Sequence, residues 1–454
     1  MSEMDIPSAR SETTAEPAPR PRSGMSGRRN AVPPLVVVGC DFRVASSLWR
    51  SQLLLTVEER GRLAEELRQA CQSAGLMVLE TCNRVEWVAT AADPVWTGEV
   101  MRAQMAARWS NAAEVLQLDP RRMPSPYVYT GRPAVAHLLR VAVGLESFVV
   151  GEREIAGQLN KALVAARGAG QTSKLHNALQ TALGRTVKKV QRRTAWRHTT
   201  RGVYSLALEV LQEHLRQTGV ASRQGPRPRV AVIGMGEIGR KAAGIIEAHG
   251  DCDVIRVNRS IPAARQGEWL PIDQLAGLLP SLNALVVATG ARAPVLHLRE
   301  LTSKPPQNTP PLLVVDLGSP MQVSGAELPW IRYAGLDQLV ARPNVGPSDE
   351  EVAAAVEVVE EGVREFQLEC KKRDLAPLLR AAHDLYDATA YLKLPELLER
   401  ELPGEANGEL RKRVQQATRD LLRGMARDMV REIEHVADVR TTRSRAGADG
   451  DVGA

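Results

Sequence analysis

Short apolar runs and helical patterns alternate over the first part of the chain. Leu35-Val-Val-Val-Gly39 is a β-branched run that ends in glycine, which predicts a buried strand. A helix is expected next, since Thr56 with a glutamate three places later is the signature of a capping box. Two further strands are indicated, at 76–79 and 85–89. Together these elements predict a compact α/β unit over residues 34–125.

From residue 131 to about residue 215 the apolar positions recur near helical spacing throughout. A different pattern then begins, in which nearly all-apolar strands alternate with helices. The strands are predicted at 229–234, 253–257, 284–288 and 312–316. Strands that are apolar on both faces indicate a parallel sheet with helices on both sides.

The C-terminal part returns to a helical pattern. Its apolar residues recur at steps of three and four, at Ala353, Val356, Val359, Val363 and Phe366. We expect this helix to end near Arg373, because Pro377 limits its continuation, and further helices to cover 378–393 and 407–437. The segment lacks the bulk for a large core of its own. Its apolar stripe therefore predicts an intersubunit helical bundle.

The two ends of the chain differ from the rest. Residues 1–33 and 440–454 are polar and charged and contain almost no large apolar residues. Such segments cannot bury enough surface to offset the entropy lost on ordering, so both are predicted to be disordered tails. The N-terminal segment also lacks the apolar region of a secretory signal.

Composition narrows the class of protein. Charged residues make up 25% and hydrophobic residues 44% of the chain, which excludes a wholly disordered protein, a collagen and a coiled-coil rod. No apolar stretch approaches the ~18 residues that a membrane span needs. The net charge of +6 permits an anionic partner without requiring one. The five cysteines form no CxxC pair, so neither a metal site nor a disulfide framework is indicated, and a reducing cytoplasm is expected.

A glycine-rich turn follows the strand that starts at Arg229 and opens a helix. It consists of Gly234, Met235, Gly236, Glu237, Ile238 and Gly239. In this context the GxGxxG pattern is typical of a dinucleotide site, with the pyrophosphate at the helix N-terminus. The next strand ends in Asn258, Arg259 and Ser260 where an NAD site usually has an acid. These residues favour NADPH over NADH; the alternative is a glycine turn that binds nothing.

A second candidate site is the turn Thr81-Cys82-Asn83-Arg84 between two short strands. A thiol close to an arginine is expected to ionise below its free pKa of about 8.5, as a nucleophilic cysteine should. The alternative is a small buried hydrophobic residue, which describes most free cysteines. We interpret the other four cysteines as packing residues.

Two weaker signals lie in the helical region. His137 is a single histidine on an apolar helix, and such residues more often belong to the core than to a catalytic site. Between Arg185 and Arg201 the chain carries seven basic residues and no acid. Within this run Lys188, Arg192 and either Lys189 or Arg193 fall on adjacent helical turns. The run is either a solvated face or a phosphate-binding surface.

Taken together, these motifs resemble the glutamyl-tRNA reductase family over about residues 35–390. The likeness comprises Thr81-Cys82-Asn83-Arg84, the helix from His137, Gly144-Leu-Glu-Ser147, Gly151-Glu152, Gly157-Gln158, the glycine-rich turn, Asn258-Arg259-Ser260, and Asp316 with Pro320. The resemblance implies a V-shaped homodimer with a multidomain α/β fold. Its parts would be a catalytic glutamyl-tRNA-binding domain at 34–185, connecting helices at 186–222, a Rossmann-type NADPH-binding domain at 223–346 and a helical dimerisation domain at 347–439.

The resemblance also implies a reaction. Cys82 would attack the ester that joins glutamate to its tRNA, and NADPH would reduce the resulting thioester to glutamate-1-semialdehyde in tetrapyrrole synthesis. Arg84 would bind the substrate carboxylate and His137 would assist near the thiol. The other residues of the implied pocket are Thr81, Asn83, Ser147, Glu152, Arg153, Glu154 and Gln158. The implied setting is the cytoplasm without a membrane, and whether an aminomutase takes the semialdehyde directly as a partner is left open.

The chain departs from the family pattern around the implied pocket. The family's Gly-Leu-Asn-His-Lys-Thr is here Gly39-Cys40-Asp41-Phe42-Arg43-Val44, its Gly-Glu-Pro-Gln is Gly151-Glu152-Arg153-Glu154, and the arginine after the late proline is Met321. Two other functions therefore stay open at this point. One is an NADP-dependent reductase of a different acyl substrate. The other is a non-catalytic relative that binds tRNA or takes part in regulation.

Overall fold

A computed structural model describes residues 34–198, 202–220, 226–266, 268–301, 310–342, 346–401, 403–404 and 407–448. The predicted N-terminal tail lies outside these residues. The chain divides into two compact units, with the boundary between Gly362 and Val363.

The first unit begins with an antiparallel four-stranded sheet in the order β2-β3-β1-β4. Its strands are β1 (Leu35–Asp41), β2 (Ser73–Glu80), β3 (Arg84–Ala91) and β4 (Tyr127–Thr130). The helices α1 (Ser47–Ser51), α2 (Val57–Cys71) and α3 (Pro94–Val115) accompany it. Trp87 of the sheet and Trp109 of α3 are fully buried in their shared core. The predicted capping box is confirmed, since Thr56 accepts from the backbone of Glu59 and Glu59 accepts from the backbone of Thr56.

Four helices then lead to the second sheet. They are α4 (Arg132–Ala142), α5 (Glu154–Gly168), α6 (Lys174–Arg193) and α7 (Val203–Gln217). The apolar faces of α4 to α6 are buried, in agreement with their predicted periodicity. In contrast, α7 shares an apolar cluster with the second sheet and the helix that follows its first strand.

The second sheet is parallel and six-stranded, in the order β7-β6-β5-β8-β10-β12. Its strands are β5 (Arg229–Ile233), β6 (Asp253–Asn258), β7 (Trp269–Pro271), β8 (Ala284–Val287), β10 (Leu312–Asp316) and β12 (Ile331–Gly335), while β9 (Leu296–His297) pairs with β11 (Val323–Ser324) beside it. Numbered within this sheet, the order is 3-2-1-4-5-6, the doubly wound order of dinucleotide-binding domains.

Apolar clusters cover both faces of this parallel sheet. Val230 and Val232 face one cluster, and Ala231 and Ile233 face the other. The helices of this region are α8 (Glu237–His249), α9 (Leu275–Leu278), α10 (Leu298–Leu301) and α11 (Leu336–Val340). The predicted α/β fold with a parallel sheet buried on both sides is confirmed.

The C-terminal helices are α12 (Asp349–Asp387), α13 (Leu394–Glu401) and α14 (Gly408–Ala448), with a π-helical segment over Ala388–Lys393. The prediction that Pro377 limits the first of these helices is wrong, because α12 continues through it. Pro377 is exposed, so water can bind the carbonyl that loses its partner. Likewise, α14 runs past residue 440, where a tail was expected, to Ala448. Among the described residues, no helix is both long enough and apolar enough to cross a membrane.

Candidate active site

The Cys82 turn is held by the side chain of Thr81. Strand β2 ends at Glu80 and β3 starts at Arg84, so Cys82 lies in the tight connection between them. The Thr81 hydroxyl accepts hydrogen bonds from the backbone N–H groups of Asn83 and Arg84, both at 3.1 Å. Thr81 therefore shapes the turn, and Cys82 is left half-buried at its tip.

The predicted thiolate character of Cys82 is wrong for this arrangement. Burial first, and then the charge of Glu152, raises the pKa of the Cys82 thiol to about 12, against the opposing effects of Arg50 and Arg84. The thiol borders an apolar cluster that extends from Phe148 to the glycine-rich turn, which explains the loss of solvation. In this structure Cys82 is a protonated thiol at neutral pH.

Arg84 does not face solvent and its guanidinium is already engaged. The side chain is fully buried, and Nη1 donates to Glu86 Oε1 at 2.8 Å. The other terminal nitrogen donates to the carbonyl oxygen of Glu146. Arg84 and Glu86 are two residues apart on β3, so they share one face of the strand. The carboxylate-binding role that the resemblance implies would require Arg84 to exchange one of these contacts.

His137 also binds Glu86. Its Nε2 lies 2.9 Å from Glu86 Oε1, and the Tyr127 hydroxyl donates to the same oxygen at 2.6 Å. The imidazole stacks on Tyr129, with ring centroids 4.6 Å apart. Burial would raise the pKa of Glu86, but the charges of His137 and Arg84 outweigh it and hold that pKa well below its ordinary value. His137 thus belongs to a buried network around a carboxylate.

The segment after α4 brings Glu152 to the site. Gly144 has φ +80°, and a Cβ there would lie 2.8 Å from the carbonyl oxygen of Glu152, so only glycine allows this close approach. Glu152 is buried, and burial together with the charge of Glu154 raises its pKa to about 7. Ser147 is buried in the same segment. In the described part of the chain, neither side chain forms a hydrogen bond.

The three remaining residues of the implied pocket are placed differently. Arg153 is exposed, while Gln158 is half-buried on α5. Glu154 Oε1 accepts a hydrogen bond from Lys241 Nζ at 2.5 Å and one from the Tyr204 hydroxyl at 3.4 Å. The structure therefore brings Glu152 towards Cys82 and commits Glu154 to the dinucleotide-binding region.

The stretch that departs from the family pattern forms a charge network of its own. Arg43 donates to Asp41 Oδ2 at 2.9 Å through Nε and to Glu146 Oε2 at 2.6 Å through Nη2. The ring of Phe42 packs edge-on against Phe148, with centroids 5.6 Å apart. Since Glu146 also contacts Arg84, the replaced residues adjoin the candidate pocket.

The glycine-rich turn fits a dinucleotide. Gly234 has φ +92°, and a Cβ there would lie 2.7 Å from the carbonyl oxygen of Ala288. A Cβ on Gly239 would overlap the carbonyl oxygen of Gly234, at 1.7 Å, so the helix can pack this close only with glycine. Space is open at Gly236, at the N-terminus of α8. In dinucleotide-binding domains the first glycine forms the turn, the second lets the phosphates approach and the third packs the helix on the strand, and Gly234, Gly236 and Gly239 fit these three roles.

The residues after β6 are arranged around the same turn. Met235 is buried, and its N–H donates to Asn258 Oδ1 at 3.3 Å, while Asn258 Nδ2 donates to the carbonyl oxygen of Ser260 at 2.7 Å. Arg259 is exposed and forms no ion pair with any residue in the described ranges. Its guanidinium is therefore available to an added anion.

Glu237 and Ile238 open helix α8 beyond this turn. Ile238 is half-buried against the apolar cluster that Cys82 borders. Glu237 is exposed and binds Lys161 of α5 at 3.1 Å and Lys241 at 3.3 Å. The glycine-rich turn is thus linked by ion pairs to the region that carries the thiol.

Two further contacts join the sheet regions within the first unit. Asp337 on α11 accepts from the backbone and the hydroxyl of Ser47, at 3.2 and 2.9 Å. Arg292 donates to the carbonyl oxygen of Leu55 at 2.8 Å. The thiol and the cofactor turn are consequently parts of one compact arrangement.

Sequence reasoning missed three residues that shape this site. Glu86 follows Arg84 by two positions on a strand, and that spacing could have identified the pair. No sequence pattern indicated a role for Arg50, because it is a single arginine in a five-residue helix. The role of Lys241 could not be predicted either, since its partner Glu154 is 87 residues away in the sequence.

Comparisons with known proteins agree with this geometry. Residues 38–194 match the model of the glutamyl-tRNA(Glu) reductase N-terminal domain, and residues 215–341 match that of shikimate/quinate 5-dehydrogenase. The chain is 27% identical to a glutamyl-tRNA reductase of Natranaerobius thermophilus over 77% of its own length and 76% of that protein. It is 29% identical to one of Salinispora arenicola over 86% of both chains. The chain is thus similar to glutamyl-tRNA reductases along most of its length.

This similarity identifies the protein as an oxidoreductase, and residues 215–341 supply a dinucleotide-binding domain of the dehydrogenase type. Among solved structures, a glutamyl-tRNA reductase from Methanopyrus kandleri is 21% identical, with a TM-score of 0.39, over 90% of this chain and 100% of that chain.

The expected packing role of the other cysteines is also confirmed, because Cys40, Cys71, Cys252 and Cys370 are all buried.

Proposed function

We propose that this protein uses NADPH to reduce glutamyl-tRNA to glutamate-1-semialdehyde, the first step of the five-carbon route to tetrapyrroles. The observation that carries the proposal is the arrangement of Cys82 and the glycine-rich turn. Both border one apolar cluster inside one compact unit. A nucleophilic thiol beside a dinucleotide site suits a reduction that passes through a covalent acyl intermediate.

The proposed reaction has two steps at Cys82. In the first, the sulfur bonds to the glutamyl carbonyl carbon, the ester bond to tRNA breaks, and the thiol proton passes to the departing ribose oxygen. In the second, bound NADPH would supply the hydride that converts the thioester to the aldehyde. The sulfur leaves as a thiolate and takes up a proton from solvent. A thiol pKa of about 12 favours this final protonation and requires that ionisation be assisted in the first step.

The amino acid would be bound by the side chains that the resting structure leaves uncommitted. Ser147, Glu152 and Gln158 form no side-chain hydrogen bond within the described residues, and they remain our candidates for the glutamyl group. Arg84 would bind the substrate carboxylate by giving up its contact with the Glu146 carbonyl. Its ion pair with Glu86 would keep the guanidinium in position.

NADPH is the cofactor that these residues favour. The turn has the open approach at Gly236 that a pyrophosphate needs. Arg259 is exposed at the position that faces the adenosine ribose in dinucleotide domains, where a guanidinium suits a 2′-phosphate. We further propose that the enzyme works in the cytoplasm as a homodimer formed through its C-terminal helices.

The tRNA would contact one face of helix α6. Lys189 and Arg193 are paired with Glu361 of α12, at 3.6 and 2.8 Å. Arg185, Lys188 and Arg192 lie at three- and four-residue steps on α6 and are exposed; none of them forms an ion pair with a described residue. We call these three residues the basic ridge and propose that it binds phosphates.

The covalent intermediate tests this function. Purified protein mixed with glutamyl-tRNA in the absence of NADPH should acquire glutamate on Cys82, in a bond labile to hydroxylamine, and release free tRNA. Addition of NADPH should then yield the semialdehyde. Cys82→Ser should do neither, because a serine hydroxyl is harder to ionise than a thiol and is a weaker nucleophile, whereas Cys252→Ser should behave like the parent protein.

The same experiment separates the alternatives. An adduct with a different acyl-tRNA or acyl ester, and none with glutamyl-tRNA, would identify a reductase of another substrate. A parent protein that binds tRNA yet forms no adduct would contradict catalysis. An adduct on Cys40 or Cys71 would contradict the assignment of Cys82.

A further inference from the structure

Arg50 is a buried cation that touches the backbone of the nucleophile turn. Its side chain is fully buried on α1. Nη2 donates to the carbonyl oxygen of Cys82 at 3.0 Å, and Nη1 donates to the carbonyl oxygen of Ala45 at 2.5 Å. Its Nε is buried and has no hydrogen-bond partner among the residues that the structure describes. Burying a guanidinium costs free energy, so its position against Cys82 calls for a physical explanation.

The charge of Arg50 is only weakly balanced. Within the described ranges its single ion-pair partner is Asp337, 3.8 Å away and 43% exposed. By contrast, Arg84 has Glu86 at 2.8 Å, with both side chains fully buried. Two buried arginines therefore adjoin the turn, but only the charge of Arg84 is closely neutralised.

Asp337 connects Arg50 to the dinucleotide-binding region. It lies on α11, directly after the last strand of the parallel sheet. Besides Arg50 it binds the N–H and the hydroxyl of Ser47 at the start of α1. The helix that carries Arg50 is thus held by a carboxylate that belongs to the other sheet region.

We propose that Arg50 is the positioning residue of the nucleophile: it fixes the Cys82 carbonyl, places a positive charge beside the sulfur, and has that charge tuned by Asp337. This inference rests on the proposed role of Cys82. In support, the charge of Arg50 opposes the effects of burial on the pKa values of both Cys82 and Cys40. The other charged groups that face Cys82 are Glu152, which raises its pKa, and Arg84, which lowers it.

Alkylation of the full-length protein by iodoacetamide tests the proposal without tRNA or NADPH. The rate at Cys82 is followed by mass spectrometry from pH 7 to pH 9.5. We expect Arg50→Gln to lower the rate about tenfold, as a rise of one pKa unit would, and Arg50→Lys to lower it less. Asp337→Asn should raise it severalfold. The control is Arg60→Gln, which removes a nearby arginine that binds Glu80; it should leave the rate unchanged.

The double variant distinguishes charge from access. If Asp337 acts through Arg50, Asp337→Asn should have no effect in the Arg50→Gln background. An effect that persists there would show that Asp337 merely shields the thiol, and it would overturn the coupling. Equal alkylation of parent, Arg50→Gln and Asp337→Asn at every pH would overturn the proposal. If Arg50→Gln fails to fold, the alkylation rates of Asp337→Asn and Arg50→Lys still test the proposal.

The readouts also separate this inference from the proposed function. Failure of the parent protein to form the glutamyl adduct would contradict the function, whatever the alkylation profiles show. Normal adduct formation with unchanged alkylation in the variants would contradict the role of Arg50 alone.

Discussion

His137 Nε2 lies 2.9 Å from Glu86 Oε1, and both side chains are buried. The same oxygen binds Arg84 and Tyr127, while Glu86 Oε2 has no hydrogen-bond partner in the described part of the chain. One carboxylate therefore holds two groups that the resemblance implies to be functional. A pair of this kind is strongly destabilised when one partner is removed, since the other charge stays buried.

Glu86→Gln should lower the free energy of unfolding at neutral pH by about 3–5 kcal/mol. The pKa of Glu86 is held below its ordinary value, so its stabilisation is present above pH 4.5 and is lost as the pH falls towards the folded-state pKa. The difference between parent and variant should therefore narrow at pH 3.5. Urea unfolding of parent and variant at neutral pH and at pH 3.5 measures this difference. Glu99→Gln, which breaks an exposed ion pair with Arg102, is the control and should have little effect.

Glu152 should show the opposite pH dependence. Burial first, and then the charge of Glu154, raises its pKa from 4.5 to about 7. Folding then favours the protonated form of Glu152. Its contribution to the free energy of unfolding is fully present below pH 4.5, and about 3 kcal/mol is lost as the pH rises through 7. Glu152→Gln should be more stable than the parent at pH 8 and equally stable at pH 4.5. Equal unfolding midpoints at pH 8 would contradict the raised pKa.

Local geometry explains what the sequence could predict. The positive φ of Gly234 and the packing of Gly239 against it are set within one strand–turn–helix unit, and the capping box at Thr56 spans only four residues. The state of the Cys82 thiol instead depends on Glu152 and Arg50, which lie 70 and 32 positions away in the sequence. Proximity in sequence to Arg84 suggested a thiolate, but Arg84 is neutralised by Glu86. Long-range burial, which no local pattern contains, decided the sign of the pKa shift.

The cofactor preference should depend on Arg259. A charge-assisted bond to the 2′-phosphate is worth roughly 1.5–3 kcal/mol, so Arg259→Ala should lower the preference for NADPH over NADH about ten- to a hundredfold. Binding of each dinucleotide, measured by calorimetry, shows this directly. Arg256→Ala, on the strand that precedes Arg259, is the control, because Arg256 is paired with Glu247 at 2.5 Å. An unchanged preference in Arg259→Ala would assign the 2′-phosphate elsewhere.

The apolar stripe that was expected to pair between subunits is already buried in the single chain at Val359, Val363 and Phe366. The second unit instead exposes other large apolar side chains that a homodimer would cover. They include Leu385, Tyr391, Leu392, Leu397, Leu410, Leu421 and Met425. Leu385 and Leu392 are 63% and 70% exposed, so replacing both by glutamate should leave the fold intact while it prevents association. Light scattering at micromolar concentration should find a dimeric parent and a monomeric variant. Val115→Glu, at a 79% exposed site in the first unit, should remain dimeric.

The basic ridge on α6 gives a test based on salt dependence. Arg185→Gln, Lys188→Gln and Arg192→Gln should each weaken tRNA binding and reduce the slope of log K against log salt by about one or less, because each removes one phosphate contact. Lys189→Gln and Arg193→Gln are matched controls on the same helix. Their charges are directed to Glu361, so their slopes should change less. Equal slopes for ridge and control variants would make the ridge a solvated surface and place the tRNA elsewhere.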